Sequence, residues 1–141
     1  MKRTLAVLAV VSIAALSAGF STRHPEDYKV AFDLTSRDTL DQKAVLRWIK
    51  EITTANPQAE IEVVMYGAGF ELVMPERSKF IPEVEAAMRN RNVEFKVCET
   101  SLRNGLVSKE KLLARVETVP DGIHELVEKQ QETWGYIKVG H

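Results

Sequence analysis

The chain of 141 residues holds a single cysteine, Cys98. An internal disulfide is therefore excluded, and the fold must stand on its apolar core. Histidine is equally scarce. His24, His124 and His141 are too far apart for any metal-binding spacing, so no metal site and no cofactor are expected. No excess of one charge exists. The 19 basic and 20 acidic residues give a net charge of −1 and no basic stripe, which argues against nucleic acid as a partner. There is no phosphate-cradling Gly-x4-Gly-Lys-Ser/Thr segment, no Ser-His-Asp pattern and no internal repeat.

Long hydrophobic runs are also missing. The apolar stretch Leu5 to Leu16 is short for a bilayer span, which takes about 20 residues. It follows Lys2 and Arg3 and precedes Ser17, Ala18 and Gly19, the order of a secretory signal. The expected organisation is a signal peptide over 1–21, a polar linker over 22–27 and one α/β domain over 28–141. The expected location is periplasmic or secreted, with no membrane attachment once the signal is cleaved. In such an oxidising compartment a lone thiol is either buried and inert or free to react.

From Tyr28 onward, strand and helix patterns alternate. Tyr28 to Leu34 reads as a strand. Thr39 and Gln42 fit a capping box for a helix whose apolar face is Val45, Trp48, Ile49 and Ile52, and Asn56-Pro57 stops it. Ile61 to Tyr66 is nearly continuous in apolar residues, as a strand buried on both faces would be, and Gly67-Ala68-Gly69 ends it. Pro82 opens a helix with Val84, Ala87 and Met88 inward. Val93 to Val97 is a third strand, ended by Cys98. Thr100 to Asn104 is a short helix capped by Gly105, and Ser108 to Leu113 is another. Val116 to Val119 is a fourth strand. Pro120-Asp121-Gly122 turns into a helix with Ile123, Leu126 and Val127 on one face. The tail from Trp134 to Val139 reads as a short edge strand, open to assembly.

Strands separated by helices imply right-handed crossovers and a mainly parallel sheet of about five strands in a three-layer α/β sandwich. Sites in such sheets lie beyond the carboxyl ends of the strands. That edge would comprise Thr35 to Asp38, Tyr66 to Phe70, Cys98 to Leu102 and Pro120 to Gly122. Cys98 stands before a helical turn, whose N–H groups favour a thiolate, although Glu99 opposes it. A buried, inert thiol is the competing reading. Thr35, Ser36 and Arg37 offer hydroxyls and a cation, or simply cap the next helix. Arg103 is placed to hold an anionic sulfur species near Cys98, or is solvated. Gly67 and Gly69 either admit a ligand or form a turn. The ligand-binding set read from this edge is Thr35, Tyr66, Gly67, Gly69, Thr100 and Arg103, with Cys98 as the catalytic candidate.

Four segments together resemble the DsrE/DsrF-like family. They are Val30-Ala31-Phe32-Asp33-Leu34-Thr35, Glu62-Val63-Val64-Met65-Tyr66-Gly67-Ala68-Gly69, Val93-Glu94-Phe95-Lys96-Val97-Cys98 and Trp134-Gly135-Tyr136-Ile137-Lys138. The resemblance runs from about Tyr28 to Gly140. It implies flavodoxin-like layering and a homo-oligomer, trimer or hexamer. It also implies a sulfur-carrier role, in which Cys98 holds sulfane sulfur as a persulfide between donor and acceptor proteins. At Tyr66 the family more often has histidine. The alternative functions are a non-enzymatic oligomeric module that binds a small ligand or partner around a structural Cys98, and a redox sensor forming a mixed disulfide.

Overall fold

A computed structural model of the chain describes residues 28–140. The expected signal peptide and linker lie outside the described residues. The elements are β1 (Lys29–Leu34), α1 (Thr39–Ala55), β2 (Glu60–Met65), α2 (Ile81–Ala87), β3 (Val93–Cys98), α3 (Glu99–Asn104), β4 (Glu117–Val119), α4 (Gly122–Gln131) and β5 (Gly135–Val139). The five strands form one sheet in the order β4-β3-β2-β1-β5, and every pairing is parallel. This is the expected α/β sandwich, with β5 at an edge.

Topology decides which face each helix covers. The steps from β1 to β4 all run one way across the sheet, so right-handed crossovers put α1 and α2 on one face. The last step returns from β4 to β5 at the far edge and puts α4 on the opposite face. The two cores follow this division. Phe32, Leu34, Ile61, Val63 and Met65 pack with Val45 and Ile49 of α1 and Val84 of α2. On the other face Ala31, Val64 and Leu126 form a small buried cluster among the described residues, with Tyr66 and Trp134 beside it.

Several local expectations are corrected. The cap of α1 is Asp38, which accepts the Leu40 N–H at 2.7 Å, so the capping register begins one residue before Thr39. Gln42 is buried, and its N–H bonds to the Asp38 carbonyl. On α4 only Leu126 of the three expected apolar residues is buried. Ile123 and Val127 are 60% and 44% exposed, because a single helix lying across the sheet buries a narrow stripe. The expected helix over Ser108 to Leu113 is a 3-10 turn, Lys109–Lys111. After α3 it is Leu106, at φ 51°, that takes the left-handed conformation, while Gly105 stays right-handed at φ −83°.

Candidate functional site

Cys98 is the last residue of β3, and α3 starts at the next residue. Its strand neighbour β4, paired through Cys98 and Val119, leads into α4. Leu102 of α3 packs into the larger core and Leu126 of α4 into the smaller one, so the chain leaves these adjacent strands towards opposite faces. Cys98 thus occupies a topological switch point, where a parallel sheet opens a crevice.

Two helix starts converge on the sulfur. Burial alone would push the thiol pKa up. The backbone N–H groups of Gly122, Ser101 and Thr100 and the Ser101 hydroxyl bond to the sulfur and outweigh burial, so the thiol titrates below its ordinary value. The α4 donors divide cleanly. Asp121 Oδ1 accepts from Ile123 N–H at 2.8 Å and His124 N–H at 3.0 Å, which leaves the Gly122 N–H for the sulfur. Ser101 Oγ also accepts the Gly67 N–H at 2.9 Å, so its hydrogen is free to point at Cys98. Glu99, expected to oppose the thiolate, accepts from the Thr118 hydroxyl at 3.0 Å. The thiol is nonetheless only 5% exposed, deeper than a residue at an open strand end.

The other expected site residues divide between this crevice and its surroundings. Thr100 belongs to the crevice: its hydroxyl donates to the Pro120 carbonyl at 3.2 Å, tying α3 to the loop before α4. Gly67, at φ 58°, and Gly69 form the turn after β2, held by Ala68 N–H to the Thr35 carbonyl at 3.1 Å. Arg103 is exposed and donates to Thr100 Oγ1 at 2.8 Å, so its guanidinium is engaged beside the crevice. The Thr35 loop is occupied by capping: Ser36 Oγ accepts the Asp38 N–H, and Lys138 Nζ lies 3.4 Å from Thr35 Oγ1.

Tyr66 connects Cys98 to a second polar group. An added Cβ at Gly122 would lie 3.2 Å from Cys98 Cβ and 3.4 Å from Tyr66 Cβ, so these three backbones meet. The Tyr66 hydroxyl donates to Asp33 Oδ2 at 3.2 Å. Asp33, buried at 2% exposure, also accepts from Tyr136 OH at 2.6 Å and from Lys138 Nζ at 3.3 Å. Sequence reasoning placed Ser101 and Gly122 on this edge without singling them out, and missed Asp33, Tyr136 and Lys138. The available signal was a carboxylate inside an apolar strand, where burial demands partners.

Two predictions arise here. Gly122→Ala requires its neighbours or the helix start to give by a few tenths of an ångström, since Cys98 Cβ stands 3.2 Å and Val64 Cγ1 3.3 Å from the new methyl. The first turn of α4 should lift and its N–H retreat from the sulfur. Alkylation kinetics against pH should then show a higher thiol pKa and slower reaction at pH 7 than in the wild type.

The second concerns alkali. Donation to Asp33, burial and the Asp33 charge push the Tyr136 phenol up to about 12, and burial and Asp33 also raise Tyr66. Both phenols stay neutral in the fold where the unfolded chain would ionise, near 10. Their contribution is complete below that pH and is lost as pH rises through the folded values. Urea midpoints measured from pH 8 upward should fall beyond pH 10, and less steeply in Tyr136→Phe.

Comparison with known proteins agrees with this fold. A protein of unknown function from Methanobacterium thermoautotrophicum, MTH1491, superposes with TM-score 0.74 at 26% identity, covering 79% of this chain and 99% of that one. BT1422 from Bacteroides thetaiotaomicron, also of unknown function, has TM-score 0.66 at 14% identity, covering 82% and 98%, and shares the fold. Among curated proteins, the Ras-related protein Rab-24 of Dictyostelium discoideum is 33% identical over 76 residues, 54% of this chain. The chain spans 36% of that relative's length. It has no phosphate-cradling loop of the kind Ras-type NTPases use, so nucleotide chemistry does not follow from that likeness. The sequence model of the DsrE/DsrF-like family matches residues 29–139, which include every strand and helix described above. The chain therefore belongs to the DsrE/DsrF-like family.

Proposed function

We propose that the protein carries sulfane sulfur as a persulfide on Cys98. Family membership suggests a sulfur-relay-type role. The observation that carries the finer reading is the set of N–H donors from two helices gathered on one sulfur. The thiolate attacks the outer sulfur of a persulfide or polysulfide donor. A new S–S bond forms, the donor's S–S bond breaks, and the donor's remaining sulfur leaves with the electron pair. An acceptor thiolate then attacks the outer sulfur, and Cys98 leaves as thiolate. No net oxidation occurs, and the same donors that favour the thiolate suit the anionic persulfide.

The reading includes export, resting on the Lys2-Arg3 and Leu5 to Leu16 pattern. It also includes self-association, supported by the edge strand β5 and by exposed Ile123 and Val127.

Intact-mass analysis after incubation with polysulfide tests the carrier reading. Increments of about 32 Da, one sulfur atom each, are expected on the wild type and absent from Cys98→Ser. A wild type left unmodified where a known carrier loads would sink it. The burial of Cys98 favours a second reading, a binding module with a structural thiol. Unchanged partner binding and cellular function in Cys98→Ser would select the module.

A further inference from the structure

The face of α4 that meets the sheet is mostly polar. Gly122, Glu125, Leu126 and Lys129 follow at intervals of three, one and three residues, the spacing of one helical stripe. Leu126 is the one buried apolar side chain of that stripe. Ionic contacts occupy the rest. Lys96 Nζ of β3 lies 2.9 Å from Glu62 Oε2 of β2 and 3.1 Å from Glu125 Oε1 of α4. Lys129 Nζ lies 3.3 Å from the same Glu62 oxygen and 3.8 Å from Glu125 Oε1, and sits over the Trp134 ring at 4.7 Å. Glu62 is fully buried. Glu94 and Glu132 reach the two lysines from the rim at 3.5 and 3.8 Å. The inner four groups balance in charge, and they join two strands to one helix.

We propose that Glu62, Lys96, Glu125 and Lys129 form an ionic clamp that seats the first turn of α4 against Cys98. Glu125 and Lys129 are then positioning residues for the sulfur. Glu125 is about 4.5 Å along the helix axis from Gly122, at the rise of an α-helix. A shift or tilt of α4 at the clamp is therefore transmitted to the Gly122 N–H. The remaining first-turn donors are tied to Asp121 within the same element and cannot hold α4 to the sheet. The clamp rests on the reading of Cys98 as a hydrogen-bonded thiolate, and concerns how that thiolate is maintained.

The test is the pH dependence of Cys98 alkylation by iodoacetamide in the full chain. It compares wild type, Lys129→Met, Glu125→Gln and, as a control on the opposite face, Ile49→Val. Amide hydrogen exchange at Gly122 is read in parallel. Both clamp variants should titrate higher, with alkylation at pH 7 slowed roughly threefold or more, about half a pKa unit. Exchange at Gly122 should quicken. Lys129→Arg should restore both readouts, and Ile49→Val should leave the thiol titration unchanged. If Lys129→Met does not fold, Glu125→Gln carries the same readouts. Wild-type titration in both clamp variants would overturn the clamp and leave the thiolate reading intact. An ordinary thiol pKa in the wild type itself would instead sink the thiolate reading. The clamp would then stand or fall on whether exchange quickens in the clamp variants and not in the control.

Discussion

Gly69→Ala is expected to cost about 3 kcal/mol of stability, the upper end for overpacking, or to prevent folding. A Cβ at this position would stand 2.0 Å from the Leu34 carbonyl oxygen and 2.8 Å from its carbon. Those atoms are backbone at the end of the interior strand β1, which pairs on both sides with β2 and β5. No rotamer change relieves the contact. Either β1 moves, which disturbs two ladders, or the turn after β2 moves, which breaks the Ala68 N–H to Thr35 bond and shifts Gly67 away from Ser101. Gly67→Ala offers the comparison. There the methyl would meet the Thr35 oxygen at 3.2 Å, and the main cost is a left-handed backbone, roughly 1–2 kcal/mol. Urea denaturation should rank wild type above Gly67→Ala above Gly69→Ala. A Gly69→Ala protein as stable as the wild type would contradict the close packing of this turn on β1.

Lys96→Met is the second large loss, also about 3 kcal/mol, the low end for breaking a buried ion pair. Glu62 is fully buried, and neither of its oxygens is met along a hydrogen-bonding direction. Its charge is held by proximity to Lys96 and Lys129. Burial works against the ammonium of Lys96, but Glu62 and then Glu125 hold its pKa above the ordinary value. Removing that cation leaves Lys129 alone against two carboxylates. Glu62→Leu combined with Lys96→Met should recover most of the loss, because it removes the stranded charge as well. A double-mutant cycle by urea unfolding measures the coupling. Additive effects of the two substitutions would show that the pair is not coupled.

The same variant has a pH signature. Burial raises Glu62 above its ordinary value, and Lys96 works to lower it. Without Lys96 it rises further. A carboxyl with a raised folded pKa favours the fold when protonated, and that advantage is lost as pH rises through the folded value. The stability deficit of Lys96→Met against wild type should therefore be smaller near pH 5 than near pH 7.

Much of the fold was legible in the chain. Apolar strand runs and helical periodicity placed five strands and the long helices to within a residue or two, because burial on the two faces imposes those periods locally. Alternation of strand and helix implied the parallel sheet, and the carboxyl-edge rule placed Cys98 at a strand end. The four family segments led to the DsrE/DsrF-like assignment that the family match supports. What stayed illegible depends on distant groups. Asp33 and Glu62 each interrupt an apolar strand, yet the partners that make them tolerable lie 33 to 105 residues away in sequence. Ile123 and Val127 have the periodicity of a buried face, but their exposure was decided by α4 being, among the described residues, the one helix on its sheet face.

Cys98 shows the division most clearly. The sequence by itself determined that the thiol has no disulfide partner in the chain, that it ends a strand and that a helical turn follows it. Only the tertiary structure decided its environment. The return from β4 to β5 sends α4 to the opposite face and brings the Gly122 N–H onto the sulfur from 24 residues along the chain, while the turn after β2 engages Ser101 from the other side. Local sequence sets which conformations each segment prefers. The donors around this sulfur come from the starts of two helices, and only the order of strands in the sheet brings them together.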